Sequence, residues 1–305
     1  MVTLVCGVRD EGPISLLLES LRRKGGHFVF LDQRDCPDNV ELRWHLSDRG
    51  LSGHVRVGDD VVDVREICSV YHRFANPEEL ADADESQSAI ARSRSILHSL
   101  LNLLDIMPAR VVNRRRPMMS NNSKPYQALL IRRADLIAPD TFITNDPTEL
   151  LDHEARNGPL VYKSMSAVRS IVAAFEGEST ERLSSLKLLP TQFQHKIEGI
   201  NVRVHVVGRQ LFATKIVSEA VDYRYASLQG RSARFTPYEL TAQLRGDCLR
   251  LARVCELPFA GIDIMIASDG VYFLEINPSP GYSYYQEATG QPISDALAEY
   301  LMDGM

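Results

Sequence analysis

A chain of 305 residues exceeds the usual size of one hydrophobic core, so we expect two or three subdomains. Its composition, 44% hydrophobic and 24% charged, is typical of globular proteins. A formal net charge of −6 argues against a nucleic-acid partner, and no apolar run reaches the roughly 18 residues that a membrane span needs. Since the N-terminus also lacks a secretory signal pattern, we expect a cytoplasmic protein without a membrane partner.

The five cysteines are odd in number and scattered along the chain, and no two of them form a Cys-x-x-Cys pair. This pattern argues against a zinc site and against a disulfide framework. We therefore expect reduced thiols, most of which are buried.

The first 109 residues predict a small open α/β domain. A strand over 2–8, a helix that begins at Pro13 and ends at Gly25, and a strand over 27–31 give a β-α-β order. The first strand is not followed by Gly-x-Gly-x-x-Gly, which removes the usual reason to expect a dinucleotide site. The remaining elements predicted here are a hairpin about Gly58, a strand over 69–74 and a helix over 86–107, which ends at Pro108.

Residues 110–190 predict a small α+β lobe, in which Ser123 can cap a helix that continues through Arg133. Residues 191–305 contain mainly strands and predict an antiparallel sheet backed by helices. A helix is predicted from Pro237 to Cys255, with Thr236 and Glu239 in capping-box positions.

The segment 259–281 is the most informative in the chain. Gly261–Ile266 and Val271–Ile276 are apolar runs separated by the turn sequence Ser-Asp-Gly, which predicts a hairpin. Glu275 and Asn277 then face the same way, and with Asp263 they offer the oxygen ligands that Mg²⁺ prefers. A nucleotide-phosphate site is the first hypothesis. The alternative is that both acids are ordinary strand residues that face solvent.

The densest basic cluster is Arg114-Arg115-Arg116, which is soon followed by Lys124. Such a run is commonly a solvated loop, and it matters for function only if it lines a cleft that receives phosphates or an acidic substrate.

Taken in order, a set of motifs resembles the ATP-grasp superfamily of carboxylate-amine ligases. The resemblance is to RimK-like glutamate ligases and to the graspetide ligases, which macrocyclise peptides through ω-ester and ω-amide bonds. It covers about residues 110–296 and is most specific in Leu-Glu-Ile-Asn-Pro-Ser and the later Glu-Ala-Thr-Gly-Gln-Pro-Ile. The residues that carry it are Lys124, Lys163, the strand Gln192–Ile197, Asn201-Val-Arg203, Asp263 and Glu275-Ile-Asn277.

The resemblance implies an ATP-grasp fold of three parts: an N-terminal α/β domain (1–109), a central lobe (110–190) and a C-terminal lobe with the metal site (191–305). It also implies an ATP-dependent ligase that requires Mg²⁺, as two ions or with Mn²⁺ in their place, and forms an amide or an ester through an acyl phosphate. The implied partners are ATP, a carboxylate substrate (peptide or amino acid) and an amine or hydroxyl acceptor, with association into a homo-oligomer through the N-terminal domain.

The resemblance also assigns roles to individual residues. The assignments are Lys124, Lys163 and Arg169 for the phosphates; Gln194, His195, Lys196 and Ile197 for the adenine linker; Asn201 for the ribose; Arg203 for the γ-phosphate and the carboxylate; and Asp263, Glu275 and Asn277 for the metal ions. Apart from the resemblance, four cations are candidates for a basic wall near the acceptor site that suits an acidic substrate: Lys215, Arg224, Arg231 and Arg234. The alternative is that these are scattered surface cations.

Three departures from the family pattern are visible. The predicted lid, residues 164–170, contains no glycine, Ala226 stands where an asparagine is expected, and His195 replaces the usual glutamate of the adenine linker. Two alternatives therefore stay open beside the ligase: a nucleotide-binding sensor without ligase chemistry, and a kinase that leaves the phosphate on its product.

Overall fold

The structure is a computed structural model that describes residues 1–36, 38–81, 86–163, 172–175, 180–218 and 232–303. For residues 163, 172–174 and 180–182 it describes the backbone alone. The chain divides into two compact units, Met1–Met118 with Gly281–Met305, and Met119–Pro280. In the described part of the chain, no helix combines the length and the apolarity that a bilayer crossing requires.

The first unit is built on a parallel sheet with the strand order β2-β1-β6-β7. Helix α1 connects β1 to β2 and buries an apolar stripe that includes Ile14, Leu17 and Leu21, as its spacing predicts. Leu100 and Leu103 of α3 are fully buried in the same hydrophobic core as residues of this sheet. The elements of the first 118 residues are β1 (Val2–Gly7), α1 (Gly12–Arg23), β2 (Phe28–Asp32), β3 (Val40–Ser47), β4 (Gly50–Val57), β5 (Asp60–Asp63), β6 (Ile67–His72), α2 (Pro77–Leu80), α3 (Gln87–Ile106), β7 (Arg110–Val112) and α4 (Arg115–Met118).

A separate antiparallel sheet, in the order β3-β4-β5, contributes valines to the same core. The hairpin predicted about Gly58 is confirmed as the β4–β5 pair, and Gly58 has the positive φ of 58° that such a turn favours. Strand β3 was not predicted, because its central sequence Glu-Leu-Arg-Trp-His is rich in charged and polar residues.

The boundaries of the first unit differ from the sequence-based ones. Strand β7 pairs in parallel with β6, so residues just after 109 extend the sheet of the first unit instead of starting a new lobe. Residues 281–305, which were assigned to the C-terminal lobe, group with the first unit because helices α9 (Ser283–Thr289) and α10 (Ile293–Met302) pack against α1.

Two arginines of the basic cluster at 114–116 have partners within this unit. Arg114 donates hydrogen bonds of 2.9 Å to the carbonyl oxygens of Met107 and Ala109, which lie just beyond the end of α3. Arg115 forms an ion pair with Asp105 of the same helix. These arginines thus stabilise the carboxyl end of a helix, where unpaired carbonyl groups favour a cation.

The second unit contains two antiparallel sheets, ordered β10-β9-β11-β8 and β14-β13-β12-β15-β16. Ser123 accepts a hydrogen bond from the Tyr126 amide and caps α5, as predicted. The elements of this unit are α5 (Lys124–Arg133), β8 (Thr141–Thr144), α6 (Pro147–Asn157), β9 (Leu160–Lys163), β10 (Val172–Ala174), α7 (Thr180–Leu186), β11 (Thr191–His195), β12 (Ile200–Val207), β13 (Gln210–Ser218), β14 (Ala233–Pro237), α8 (Ala242–Val254), β15 (Phe259–Ile266) and β16 (Val271–Asn277).

Helices α5 and α8 cover one face of the five-stranded sheet. Their apolar residues form a single core with alternate strand residues, among them Val202, Val204, Ile262, Ile264 and Ile276, all of which are fully buried. Because side chains alternate across a strand, the residues between these positions lie on the other face of the sheet.

The predicted start of α8 is wrong. Residues 233–237 pair with β13 as strand β14, and the helix begins at Ala242 with Thr241 as its N-cap. The Thr241 hydroxyl accepts a hydrogen bond from the Leu244 amide, whereas Thr236 lies in the strand. The buried stripe Leu244, Cys248 and Leu251 is confirmed.

The five cysteines are all free, and four of them are buried (Cys6, Cys36, Cys248 and Cys255). Burial raises the pKa of the Cys36, Cys248 and Cys255 thiols to about 12. They are therefore protonated core residues at neutral pH, as their scattered spacing predicts.

Candidate functional site

A row of polar side chains crosses the five-stranded sheet. Thr214 of β13 lies opposite Arg203 of β12, Arg203 lies opposite Asp263 of β15, and Asp263 lies opposite Glu275 of β16. Directly opposed residues of antiparallel strands share a face, so all four lie on the face away from helices α5 and α8. The predicted hairpin and the common face of its acids are thus confirmed.

Arg203 and Asp263 form a buried ion pair at the centre of this row. Nη1 of Arg203 lies 2.8 Å from Oδ2 of Asp263, and the side chains are only 6% and 14% exposed. The guanidinium also lies over Gly261, where an added Cβ would overlap with Nη2 and Cζ of Arg203. Position 261 must therefore be glycine for the arginine to keep this place.

Lys124 and Glu275 form a second buried pair at the edge of the sheet. Nζ of Lys124 lies 2.9 Å from Oε2 of Glu275, with side-chain exposures of 10% and 14%. Gln127, one turn further along α5, donates a 2.7 Å hydrogen bond to the Ile276 carbonyl and fixes the helix against β16. A lysine in the first turn opposes the helix dipole, and the pair with Glu275 offsets that cost.

Asn277 completes the predicted metal ligands. It lies opposite Gly261, two residues beyond Glu275 and therefore on the same face of the sheet. A bulge follows Asp263 in the register. Its Oδ1 accepts a 2.9 Å hydrogen bond from the Ser279 amide and keeps a second lone pair for another partner. The bond therefore fixes the direction of the amide oxygen.

The chemistry of these three side chains fits a hard divalent cation, because they offer two carboxylates and one amide oxygen on a common face. Within the part of the chain that the structure describes, no three His, Cys, Asp or Glu side chains form a metal-binding group. A cation here would therefore need the oxygen of Asn277 as its third protein ligand.

The predicted adenine linker lies at the end of β11. Gln194 donates a 2.8 Å hydrogen bond to the Thr141 hydroxyl, which fixes its amide. The amide of Lys196 donates to the carbonyl oxygen of Pro159 at 3.0 Å, so this N–H already has a partner. The ring of His195 lies edge-on to His153 of α6, at 5.7 Å between ring centroids. The assignment of residues 194–197 to adenine stays a prediction.

Lys163 lies directly opposite Gln192 in the β9–β11 register, which places its backbone beside the polar residues of β11. Gln192 is 1% exposed, and its Oε1 has no hydrogen-bond partner among the described residues. Sequence reasoning named this glutamine only as the first residue of the motif strand and assigned it no role. A polar residue between the strand residues Thr191 and Phe193, two positions before Gln194, was the available signal.

The structure does not bring Lys215 to the polar row. Lys215 lies opposite Val202, which belongs to the apolar core, so register places this lysine on the helix-covered face of the sheet. It therefore does not join Arg203 in a basic wall. Asn201 lies two residues before Arg203 on the polar face, and its Oδ1 is buried without a hydrogen-bond partner in the described chain. Arg169, Arg224, Arg231 and the predicted lid at 164–170 lie outside the described residues.

His205 and Thr214 are fully buried polar residues on the same face, and sequence reasoning missed both. The signal was present in Val-Arg-Val-His-Val, residues 202–206, where polar residues alternate with valines. This period of two predicts a strand with one apolar face and one polar, buried face.

The profile of the RimK-like ATP-grasp domain matches residues 122–301, which include the row, Asn277 and the adenine linker. The chain belongs to the RimK-like ATP-grasp family. It is thus an ATP-dependent ligase by family, and the resemblance read from its sequence is confirmed. The family assignment covers more than half of the chain and leaves the substrates open.

A relative from Photobacterium profundum, named a probable alpha-L-glutamate ligase, is 24% identical over 93% of this chain and 89% of its own length. A ligase from Chryseobacterium gregarium, solved with ADP and a leader and core peptide, superposes with a TM-score of 0.81 at 21% identity, covering 100% of this chain and 98% of its own. The macrocyclase MdnC from Microcystis aeruginosa, bound with the precursor peptide MdnA, gives a TM-score of 0.80 at 23% identity, with full coverage of both chains. These structures establish the ATP-grasp fold of this RimK-like chain.

Proposed function

We propose that this chain joins a peptide carboxylate to an amine or hydroxyl of a peptide, at the cost of ATP, through an acyl phosphate. The observation that carries the proposal is the row that contains Arg203, Asp263 and Glu275, to which Lys124 of α5 adds a second cation through its pair with Glu275. The peptide substrate is supported by two solved relatives that carry precursor or leader and core peptides.

The positively charged side chains and the oxygen ligands would bind different parts of the metal–nucleotide complex. Lys124 and Arg203 would hold the phosphates, with Lys163 as a third cation, while Asp263, Glu275 and Asn277 would hold two Mg²⁺ ions. A related ligase, PsnB, was solved with Mg and ADP, which supports this choice of metal. Magnesium, when bound, supplies neutralisation of the charge that develops on the transferred phosphoryl group.

The reaction needs little acid–base machinery. An oxygen of the substrate carboxylate attacks the γ-phosphorus and ADP leaves, which gives the acyl phosphate. The amine or hydroxyl then attacks the acyl carbon, phosphate leaves, and the nucleophile loses its proton. Arg203 is suited to both steps, since it can stabilise the negative charge of the phosphoryl group and then orient the acyl phosphate.

The test is turnover of ATP with pooled peptides that contain acidic residues together with lysine, serine or threonine. We expect ADP release that depends on peptide and Mg²⁺, and a product whose mass is lowered by one molecule of water. A phosphorylated product would instead establish a kinase. Tight ATP binding without ADP release for any peptide or amino-acid pool would establish a nucleotide sensor, and either result would overturn the ligase proposal.

A further inference from the structure

We propose that Lys124 and Arg203 act as resident counterions that exclude divalent metal until a triphosphate arrives, so that metal and nucleotide bind with strong mutual dependence. The inference rests on the proposed function, because it concerns the same metal ligands and the same phosphate-binding cations. It adds an order of events that the family assignment does not contain.

The geometry shows a one-to-one match between cations and metal ligands. Lys124 lies 2.9 Å from Glu275, and Arg203 lies 2.8 Å from Asp263. Each pair joins a residue proposed to hold phosphate with a residue proposed to hold metal. These four side chains carry two positive and two negative formal charges, which cancel within the two pairs.

A divalent cation that enters alone must compete with these internal cations. It would have to displace the Lys124 ammonium from Glu275 and the Arg203 guanidinium from Asp263, and it would leave both positive groups buried beside it. At low effective dielectric, the loss of the carboxylate partner from such a buried cation is strongly unfavourable. Without nucleotide, the protein should thus bind free metal weakly.

A triphosphate that enters alone meets the opposite difficulty. It can draw Lys124 and Arg203 toward its oxygens, but it then leaves Asp263 and Glu275 as buried carboxylates facing a polyanion. Metal and triphosphate together satisfy all four groups by an exchange of partners. Because coupling between two ligands is reciprocal, each should raise the affinity for the other by the same factor.

Two features of the fold keep the pairs in place. Gly261 leaves the space in which the Arg203 guanidinium lies, and Gln127 fixes α5 to β16 through the Ile276 carbonyl, which holds Lys124 beside Glu275. If the pairs served stability alone, removal of Lys124 would weaken the fold and would leave the affinity for free metal unchanged. The two roles therefore predict different outcomes for one measurement.

The experiment measures binding of Mn²⁺, as a paramagnetic substitute for Mg²⁺, to the full-length protein without nucleotide. Lys124→Met should tighten Mn²⁺ binding by at least about tenfold, since Glu275 loses its internal competitor. Arg203→Met should change the affinity in the same direction. An affinity equal to or weaker than that of the wild type in both variants would overturn the inference.

Arg132→Met is the matched control, because Arg132 lies on the same helix and forms a 3.2 Å pair with Asp140 that is exposed to solvent. It should leave Mn²⁺ binding unchanged. If Lys124→Met is too unstable to titrate, its melting temperature should rise more steeply with Mg²⁺ than that of the wild type, since a metal that binds the folded state stabilises it. An equal or smaller rise would count against the inference.

The same titrations separate this inference from the proposed function. In the wild type, Mg²⁺ should raise the affinity for ATP by at least about a hundredfold, and Lys124→Met should reduce that factor. If the wild type binds Mg²⁺ and ATP together and turns ATP over, but metal binding is not tightened in the variants, the counterion role fails and the ligase stands. If the wild type binds no nucleotide with metal, the ligase proposal itself fails.

Discussion

Two arginine–carboxylate pairs, one half-buried in the first unit and one buried in the second, differ in what surrounds them. In the first unit, Nε of Arg73 donates to Oε1 of Glu11 at 2.8 Å, and the side chains are 14% and 34% exposed. Tyr71 and Tyr282, both almost fully buried, lie near this pair. In the second unit, the Arg203–Asp263 pair has a lysine–glutamate pair beside it in the same row.

The difference indicates what each pair can do. Tyrosines, which are uncharged at neutral pH, cannot exchange ionic partners with an arginine–carboxylate pair, so we expect the Arg73–Glu11 pair to contribute to the stability of the fold. A row of alternating charges can release its internal partners to a ligand of matching charge and then return to them. Burial of a charge is thus not sufficient to identify a functional site, and the charge pattern around it is the better guide.

The largest expected effect separates the two pairs by activity. Asp263→Asn keeps the shape of the side chain but removes one charge from the proposed metal ligands, and we expect turnover to fall by about 10⁴-fold, or about 5.4 kcal/mol at 1.36 kcal/mol for each factor of ten. Steady-state ADP release measures this. Asp269→Asn, in the turn of the same hairpin, is the control and should retain activity. Turnover of Asp263→Asn within tenfold of the wild type would remove this residue from the metal site.

The next effect distinguishes the Arg73–Glu11 pair from the Arg203–Asp263 pair by its contribution to the stability of the fold. Arg73→Met removes the arginine partner of Glu11 and should lower the free energy of unfolding by about 3 kcal/mol, the lower end for a buried pair because the carboxylate is one-third exposed, while the affinity for ATP with Mg²⁺ stays within about twofold. Denaturant unfolding and nucleotide titration measure the two quantities. Arg65→Met, which removes an exposed pair with Asp63, is the control and should leave stability unchanged. A large loss of nucleotide affinity with normal stability would contradict the comparison.

Sequence reasoning predicted the parts of the site that depend on local pattern. The β15–β16 hairpin follows from two apolar runs about a Ser-Asp-Gly turn, and the common face of Glu275 and Asn277 follows from the period of a strand. The start of α5 follows from Ser123, whose hydroxyl accepts from a backbone amide two or three positions later. Each of these needs only residues that are close in the chain.

The features that were missed depend on residues distant in sequence. Lys215 was assigned to the acceptor site, but its face is set by the pairing of β13 with β12, which no local pattern contains. Thr236 and Pro237, at the end of β14, were predicted as the start of a helix, whereas pairing with β13 places both in a strand. The partner of Lys124, Glu275, is likewise 151 residues away along the chain.

A third prediction concerns the first unit and pH. His72 is buried next to Arg73, its Nε2 lies 2.6 Å from the Asn113 carbonyl oxygen, and burial lowers its pKa to about 4. The unfolded chain, with a histidine pKa of about 6.5, binds this proton first, so stability is fully present above pH 6.5 and falls as the pH drops toward 4. The loss should reach about 3 kcal/mol at pH 4.

Urea unfolding at several pH values tests this expectation. His72→Gln keeps a hydrogen-bond donor for the Asn113 carbonyl but cannot titrate, so its stability should fall less between pH 6.5 and pH 4 than that of the wild type. Equal pH dependence in the two proteins would assign the acid sensitivity to other groups. ATP affinity at pH 7 should be the same in both proteins, because His72 lies in the first unit and the proposed phosphate and metal ligands lie in the second.

The smallest expected effect alters the position of Arg203 without altering any charge. In Gly261→Ala the new Cβ overlaps with Nη2 and Cζ of Arg203, so the guanidinium must move away from its place beside Asp263. We expect kcat/KM to fall by about 10- to 100-fold, or about 1.4 to 2.7 kcal/mol, because orientation of the charge is lost while the charge remains.

Gly246→Ala is the matched control for this substitution. Gly246 lies within α8, and an added Cβ there meets no atom within 4 Å, so the variant should gain about 1 kcal/mol of stability from helix propensity and keep full activity. If Gly261→Ala were as active as Gly246→Ala, the exact placement of Arg203 would not matter for catalysis. The polar row would then act through the charges that it contains and not through their exact positions. It would differ from the Arg73–Glu11 pair only in the number of charged residues.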